Sequence, residues 1–225
     1  MERYIRNHTA ISKEEQKLLS ESKVLVVGCG GLGGYIIEAL GRLGVGNISV
    51  LDSDVFEPSN LNRQLLSKDS TLGKAKAEVA KQRMEDVNPN VNIIPYVTRL
   101  AEENAIEYLK GNDLVIDALD NLSTRLTLIK VARSLNIPLV HGAIAGWRGR
   151  VSVIYPGDTA FEEILSLANK SLTQTDGNLG FTAACIASIQ AAEATKILIN
   201  RGRIKRNKIL EINLLNGTFE EIDLA

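Results

Sequence analysis

The segment Gly28-Cys29-Gly30-Gly31-Leu32-Gly33 is the part of this chain whose residue types and spacing point most directly to chemistry. It follows the apolar run Val24-Leu25-Val26-Val27 and precedes a stretch with helical apolar spacing at Ile36, Ile37, Leu40 and Leu43. In that setting GxGxxG brings backbone amides and a helix amino terminus against phosphate charge. A tight strand-to-helix turn without a ligand is the plainer reading, but it leaves four costly glycines without a use. Asp52 stands nineteen positions after Gly33, at the end of the next apolar run, where an acid accepts hydrogen bonds from ribose hydroxyls. Asp54 is its near alternative. To this point a nicotinamide dinucleotide and ATP fit equally well.

The loop Ser59-Asn60-Leu61-Asn62-Arg63-Gln64 and the following Gly73-Lys74-Ala75-Lys76 separate the two. A nicotinamide site needs no such cations, whereas Arg63 and Lys76 would set fixed positive charge beside a triphosphate and neutralise departing pyrophosphate. Each by itself also reads as a solvated surface charge. Asp117-Ala118-Leu119-Asp120-Asn121 closes another apolar run. Asp120 there suits a magnesium ion, which takes one or two carboxylates plus phosphate oxygens; its structural alternative is an N-cap for the helix that follows. No GxxxxGK[ST] segment is present, which excludes a P-loop enzyme.

The elements that must position these residues follow from periodicity. The spacing predicts a helix over 12–20, opened by a capping box from Ser12 to Glu15, then strand 24–27, helix 31–43, strand 47–52, a polar loop 53–72 and helix 73–87. Strand 91–97, helix 101–110, strand 113–118, helix 121–135 and strands 138–144 and 148–154 continue the alternation. A stretch from 156 to 179 has no amphipathic order and reads as a long crossover loop; helix 181–200 and strands 208–213 and 218–223 follow, with Asn216-Gly217 as a hairpin signal. Alternating βα units imply an α/β, Rossmann-like doubly wound sheet, mainly parallel, with an antiparallel C-terminal extension. One domain over 1–225 is expected, with an N-terminal arm and helix (1–21) and a nucleotide-binding core (22–145).

Composition narrows the function classes. The 225 residues are 44% hydrophobic, and 26 basic residues face 27 acidic ones for a net charge of −1, which gives no reason to expect bulk nucleic-acid or anionic-membrane binding. No signal-peptide h-region opens the chain and no apolar run approaches the roughly 20 residues of a membrane span, so a cytoplasmic protein is expected. Two cysteines, Cys29 and Cys185, build no disulfide framework and no CxxC pair.

Taken together, the segments resemble the MoeB/ThiF/HesA family, adenylyltransferases of sulfur-carrier proteins related to ubiquitin-activating enzymes. The resemblance runs through Arg3-Tyr4-Ile5-Arg6, the glycine loop, Leu51-Asp52-Ser53-Asp54, Ser59 to Gln64, Gly73 with Lys76, Asp117 to Asn121 with Arg125, His141 to Val151, and Gln190-Ala191-Ala192-Glu193-Ala194. It implies ATP-dependent adenylation of the C-terminal glycine of a small ubiquitin-like carrier. It puts Asp52 on the ribose, Asn60, Arg63 and Lys76 around the phosphates, Asp120 on magnesium, and Gln64, Asn121 and Arg125 among the nucleotide-binding residues. Arg6 matches an arginine that homodimers of the family insert into the partner's ATP site, and residues 146–225 match the carrier-binding part.

The chain departs from the family in two places. Many relatives hold zinc on two CxxC pairs; Tyr155-Pro156-Gly157-Asp158 contains no cysteine, and no zinc is expected. Some place a cysteine in the crossover loop for a covalent relay; Thr173 to Gly180 has none, so adenylation without that relay is expected. Cys185, in an apolar helical run, reads as a buried thiol, and Cys29 as a small packing element. His141 reads as a satisfied structural histidine, with a role facing the site as the other reading. Trp147, Arg148 and Arg150 read either as carrier contacts or as ordinary packing and edge-strand charge. Rival functions are a dinucleotide oxidoreductase, an enzyme of the same fold acting on another carboxylate or on a transfer-RNA threonylcarbamoyl group, and a non-catalytic partner-binding relative.

Overall fold

The computed structural model describes residues 2–161, 165, 177–204 and 206–224. Most of the connection expected over 156–179 lies outside these; of its described part, Ala160 and Phe161 are already helical.

The strands β1 (Lys23–Val27), β2 (Asn47–Leu51), β3 (Asn92–Tyr96), β4 (Leu114–Asp117), β5 (Leu139–Ala145), β6 (Arg148–Ile154), β7 (Lys208–Asn213) and β8 (Thr218–Asp223) form one sheet. Its order is β3-β2-β1-β4-β5-β6-β7-β8. The first five are parallel, and the last three add antiparallel pairs, as the sequence pattern predicts. Parallel strands must be covered on both sides because each crossover helix returns over the sheet. In β1, Val24 and Val26 accordingly enter one core, shared with α2 (Gly33–Leu43), α3 (Lys76–Val87) and the last helix, α6 (Gly180–Leu198). Leu25 and Val27 enter the other, beneath α4 (Glu102–Leu109) and α5 (Leu122–Ser134).

The capping box of α1 (Lys13–Glu21) forms as expected, Ser12 Oγ accepting from Glu15 N while Glu15 returns to Ser12 N. Expected helix and strand limits are otherwise met within two residues, except at α3, which starts three residues later than expected. The polar loop runs on to Ala75, because Phe56 and Lys76 bond back across it and Gly73 turns with a positive φ of 76°. The β7–β8 hairpin forms, but Asn213 pairs with Thr218, so residues 214–217 connect the strands instead of a two-residue turn. Asn213 Oδ1 accepts from the amides of Leu215 and Asn216 and closes that longer loop.

The amino-terminal arm docks at the far end of the sheet. Tyr4 is buried against Gly44, the left-handed C-cap of α2, and its hydroxyl accepts from Asn88 Nδ2 at 2.8 Å. No helix among the described residues is long and apolar enough to cross a membrane.

Candidate functional site

Because β1 lies between β2 and β4, the chain leaves neighbouring strands toward opposite sheet edges and opens a crevice at their carboxyl ends. Three loops meet there: the glycine loop after β1, the long loop after β2 and residues 118–121 after β4.

The glycine loop divides into two kinds of glycine. Gly28 has φ 99°, and a Cβ there would stand 2.6 Å from the Ala118 carbonyl oxygen; at Gly33 it would stand 1.8 Å from the oxygen of Gly28. Both are demanded by the fold itself. Gly30 and Gly31 have ordinary φ, and a Cβ would meet nothing nearer than the Gln64 amide at 3.5 Å or the Ala183 methyl at 3.9 Å. Nothing among the described residues needs glycine at these two positions. Their bare backbone has a use only where a ligand comes closer than a side chain would permit. The amino terminus of α2 beside them has no side-chain cap and no acid in its first turn, which leaves amides free for an anion.

Asp52 supports this loop directly, accepting from Cys29 N at 2.7 Å and from Asp54 N at 2.8 Å. Burial raises its carboxyl above the usual range, with the two amides opposing. Cys29 is fully buried, and burial lifts its thiol well above the ordinary value, so it packs and does not react. Cys185, expected as a buried thiol, is only partly buried; what burial it has lifts the thiol, so it is not activated.

Lys76 opens α3 with only 6% of its surface exposed. Its Nζ holds exposed Asp54 at 3.0 Å, and its charge acts on both Asp52 and Cys29. Arg63 donates to Ser59 O and Asn62 Oδ1, both at 2.9 Å, with its Cγ 4.0 Å from where a Gly31 Cβ would stand. Gln64 is buried beside Gly30, and its Oε1 has no partner among the described residues. Asn60, expected near the phosphates, is buried and staples its own turn by accepting from Glu57 N at 3.0 Å.

After β4 the expected site residues are placed in different ways. Asp120 is exposed, and no side-chain bond holds it among the described residues; the N-cap of α5 is Asn121, whose Oδ1 accepts from Thr124 N at 2.9 Å. That commits Asn121, expected beside the nucleotide, to the helix end. Arg125, expected there too, turns inward: Nε reaches Asp117 Oδ2 at 2.8 Å and Nη2 donates to the Leu119 carbonyl. Arg6 does not join its own crevice at all. It is exposed on the arm, which Tyr4 anchors at the carboxyl end of α2, about 16 Å along the helix axis from the glycine loop.

His141 on β5 is buried, with Nδ1 2.7 Å from Asp117 Oδ2 and Phe161 packed on its ring at 4.7 Å between centroids. Burial lowers its value below the ordinary one against the pull of Asp117, so it is neutral near pH 7. Asp117 is fully buried, and although burial alone would raise its carboxyl, the Arg125 charge and the His141 hydrogen bond hold it below the usual range. Gln190 of α6 reaches across to the Asp117 carbonyl at 2.9 Å. Trp147 is half-exposed and lies 4.8 Å from exposed Phe181, while Arg150 pairs with Glu211 at 2.8 Å. No group of three or more metal-ligating side chains gathers among the described residues, so a cation at Asp120 would depend on oxygens from a bound phosphate.

The profile of the ThiF family matches residues 2–225. The chain belongs to the ThiF family. It is 37% identical over 216 residues to a protein of Haloferax volcanii named SAMP-activating enzyme E1, covering 94% of this chain and 80% of that one. It is 34% identical to a sulfur carrier protein adenylyltransferase of Thermus thermophilus, covering 94% of this chain and 82% of that one. In fold it resembles the crystal structure of E. coli MccB with ATP, with a TM-score of 0.86 and 20% identity over 100% of this chain and 72% of the other.

The inward turn of Arg125 and the reach of Gln190 had no local signal. Arg125 lies eight residues from Asp117, and His141 and Gln190 reach it only because β5 and α6 pack against β4. The caps were harder to assign for another reason, since adjacent Asp120 and Asn121 both favour that position.

Proposed function

We propose that this ThiF-family chain is an ATP-dependent adenylyltransferase acting on the C-terminal glycine of a small ubiquitin-like sulfur-carrier protein. The observation that carries this is the bare backbone at Gly30 and Gly31, which the described residues do not require, with Arg63 beside Gly31, the Lys76 charge acting on Cys29, and the loop that carries Asp120 packed against Gly28. The names of the two relatives describe the same chemistry. Asp52 lies where it meets ribose hydroxyls, and the glycine-loop amides with Arg63 and Lys76 meet phosphate. Asp120, with phosphate oxygens, would hold a magnesium ion, which would supply further neutralisation of the leaving pyrophosphate. The carrier carboxylate attacks the α-phosphorus of ATP, forming the acyl–phosphate bond as the bond to pyrophosphate breaks. Such displacement rests on positioning and charge, without a protein nucleophile.

Residues 146–225, with Trp147, Phe181 and Arg148 exposed near the crevice, are the proposed carrier side. Arg6, distant from its own glycine loop, serves the site of a second subunit in a homodimer. Mixing Arg6→Ala with Asp120→Ala subunits then restores activity through hybrid dimers, and proven mixing without recovery would refute the cross-subunit role.

The test of the activity is carrier-dependent exchange of labelled pyrophosphate into ATP, using small proteins from the same organism that end in Gly-Gly. Exchange that disappears in Asp120→Ala is the expected result. ATP binding without exchange for any such carrier would reject this acceptor.

A further inference from the structure

A buried ionic cluster lies directly beneath the loop that carries Asp120 and bonds the backbone of that loop from within. Asp117 Oδ2 takes both Arg125 Nε, at 2.8 Å, and His141 Nδ1, at 2.7 Å, while Oδ1 accepts from Leu119 N at 3.0 Å. The second arm of the Arg125 guanidinium closes on the Leu119 carbonyl. Leu119 is thus held at both its amide and its carbonyl, and the carbonyl belongs to the peptide bond that enters Asp120. On the other side of Asp120, Asn121 is fixed as the N-cap of α5. Ala118, one step earlier, lies against Gly28, whose Cβ would strike its carbonyl oxygen at 2.6 Å. Asp120 is therefore an exposed side chain on a backbone clamped from within, and the same clamp registers it against the glycine loop.

Stability alone does not account for such a cluster. Replacing a buried ion pair with well-packed apolar side chains is often neutral or stabilising, whereas an ionic cluster orients the backbone it bonds. We infer that Arg125, with Asp117 and His141, is a positioning assembly that sets the direction of Asp120 toward phosphate-bound metal and does not itself contact the nucleotide. The inference rests on the proposed magnesium role of Asp120.

The test compares ATP affinity with and without magnesium, by calorimetry, in wild type, Arg125→Lys, Asp120→Asn and the double variant, together with amide exchange over residues 118–121. Lysine keeps the charge but cannot hold Asp117 and Leu119 together. Arg125→Lys is expected to weaken magnesium–ATP binding about 10-fold, leave metal-free ATP binding within about twofold, and add nothing in the Asp120→Asn background. Exchange should quicken at 118–121 and not in β1. Equal loss with and without metal, additivity with Asp120→Asn, or unchanged affinity would each overturn the inference. If Asp120→Asn leaves the metal dependence intact, the magnesium role fails; faster exchange in Arg125→Lys then upholds the clamp, and unchanged exchange overturns it. Should Arg125→Lys not fold, His141→Phe removes one donor to Asp117 and keeps the ring against Phe161. The same metal-dependent loss, smaller in size, is expected, and a metal-independent loss overturns the assignment.

Discussion

The two loops that meet above β1 and β4 are built on opposite plans. The glycine loop is open: it is shaped by backbone contacts at Gly28 and Gly33, and Gly30 and Gly31 are partly exposed beside the uncapped start of α2. The 118–121 loop is tethered from below by a buried carboxylate, a guanidinium and an imidazole, and presents one acid, Asp120, without a partner among the described residues. The difference teaches how one crevice holds both a diffuse and a directional contact. Phosphate binds to many weak amide donors at once, for which bare backbone suffices. A cation held by one carboxylate needs that carboxylate aimed, and aiming requires structure behind it.

The sharpest way to break the contrast lies within the glycine loop. Gly33→Ala, with its Cβ 1.8 Å from the Gly28 oxygen, is expected to cost about 3 kcal/mol or more in denaturant melts. Gly31→Ala has room, and is expected to keep stability within about 0.5 kcal/mol while losing ATP affinity. Equal destabilisation by both would erase the distinction between fold glycines and ligand glycines.

Across the crevice, Asp120→Ala removes an exposed side chain with no partner among the described residues. Carrier-dependent exchange is expected to fall about 10²- to 10³-fold with the melting temperature unmoved. A lower melting temperature would assign Asp120 to structure instead.

The tether predicts a pH dependence that the open loop does not. Folding holds His141 below its ordinary value, so the unfolded chain takes up that proton first. The stability His141 contributes above about pH 6.5 is lost as pH falls through that value toward the folded one. Asp117, also lowered, has the same sign farther into acid; Asp52, raised by burial, has the opposite sign. His141→Gln is therefore expected to flatten the decline in melting temperature between about pH 7 and about pH 5 relative to wild type. An unchanged slope would remove His141 from the tether's titration.

The smallest effect belongs to residues outside both loops. Cys185→Ser is expected to change exchange rate by less than about twofold, because burial keeps the thiol protonated. A large loss would instead indicate a covalent relay.

Legibility followed the same division. The glycine loop, Asp52 and the strand, turn and helix around them could be read from residues close in sequence, because these are local objects with their own periodicity. Lys76 was legible as a cation but not as the partner of Asp54, since that pairing spans the loop after β2. Arg125 was legible as part of a motif but not as the partner of Asp117, which meets His141 only once β4 and β5 are adjacent. Arg6 could be placed on the arm, but its distance from its own crevice depends on Tyr4 docking at Gly44 and Asn88.

The central claim is chemical, and one product decides it. Intact-mass analysis of a Gly-Gly-ending carrier, incubated with the chain, magnesium–ATP and pyrophosphatase, is expected to show the gain of one AMP moiety at its terminal glycine, absent with Asp120→Ala. A carrier that gains phosphate with ADP as co-product, or stays unmodified while ATP is consumed, would contradict the account.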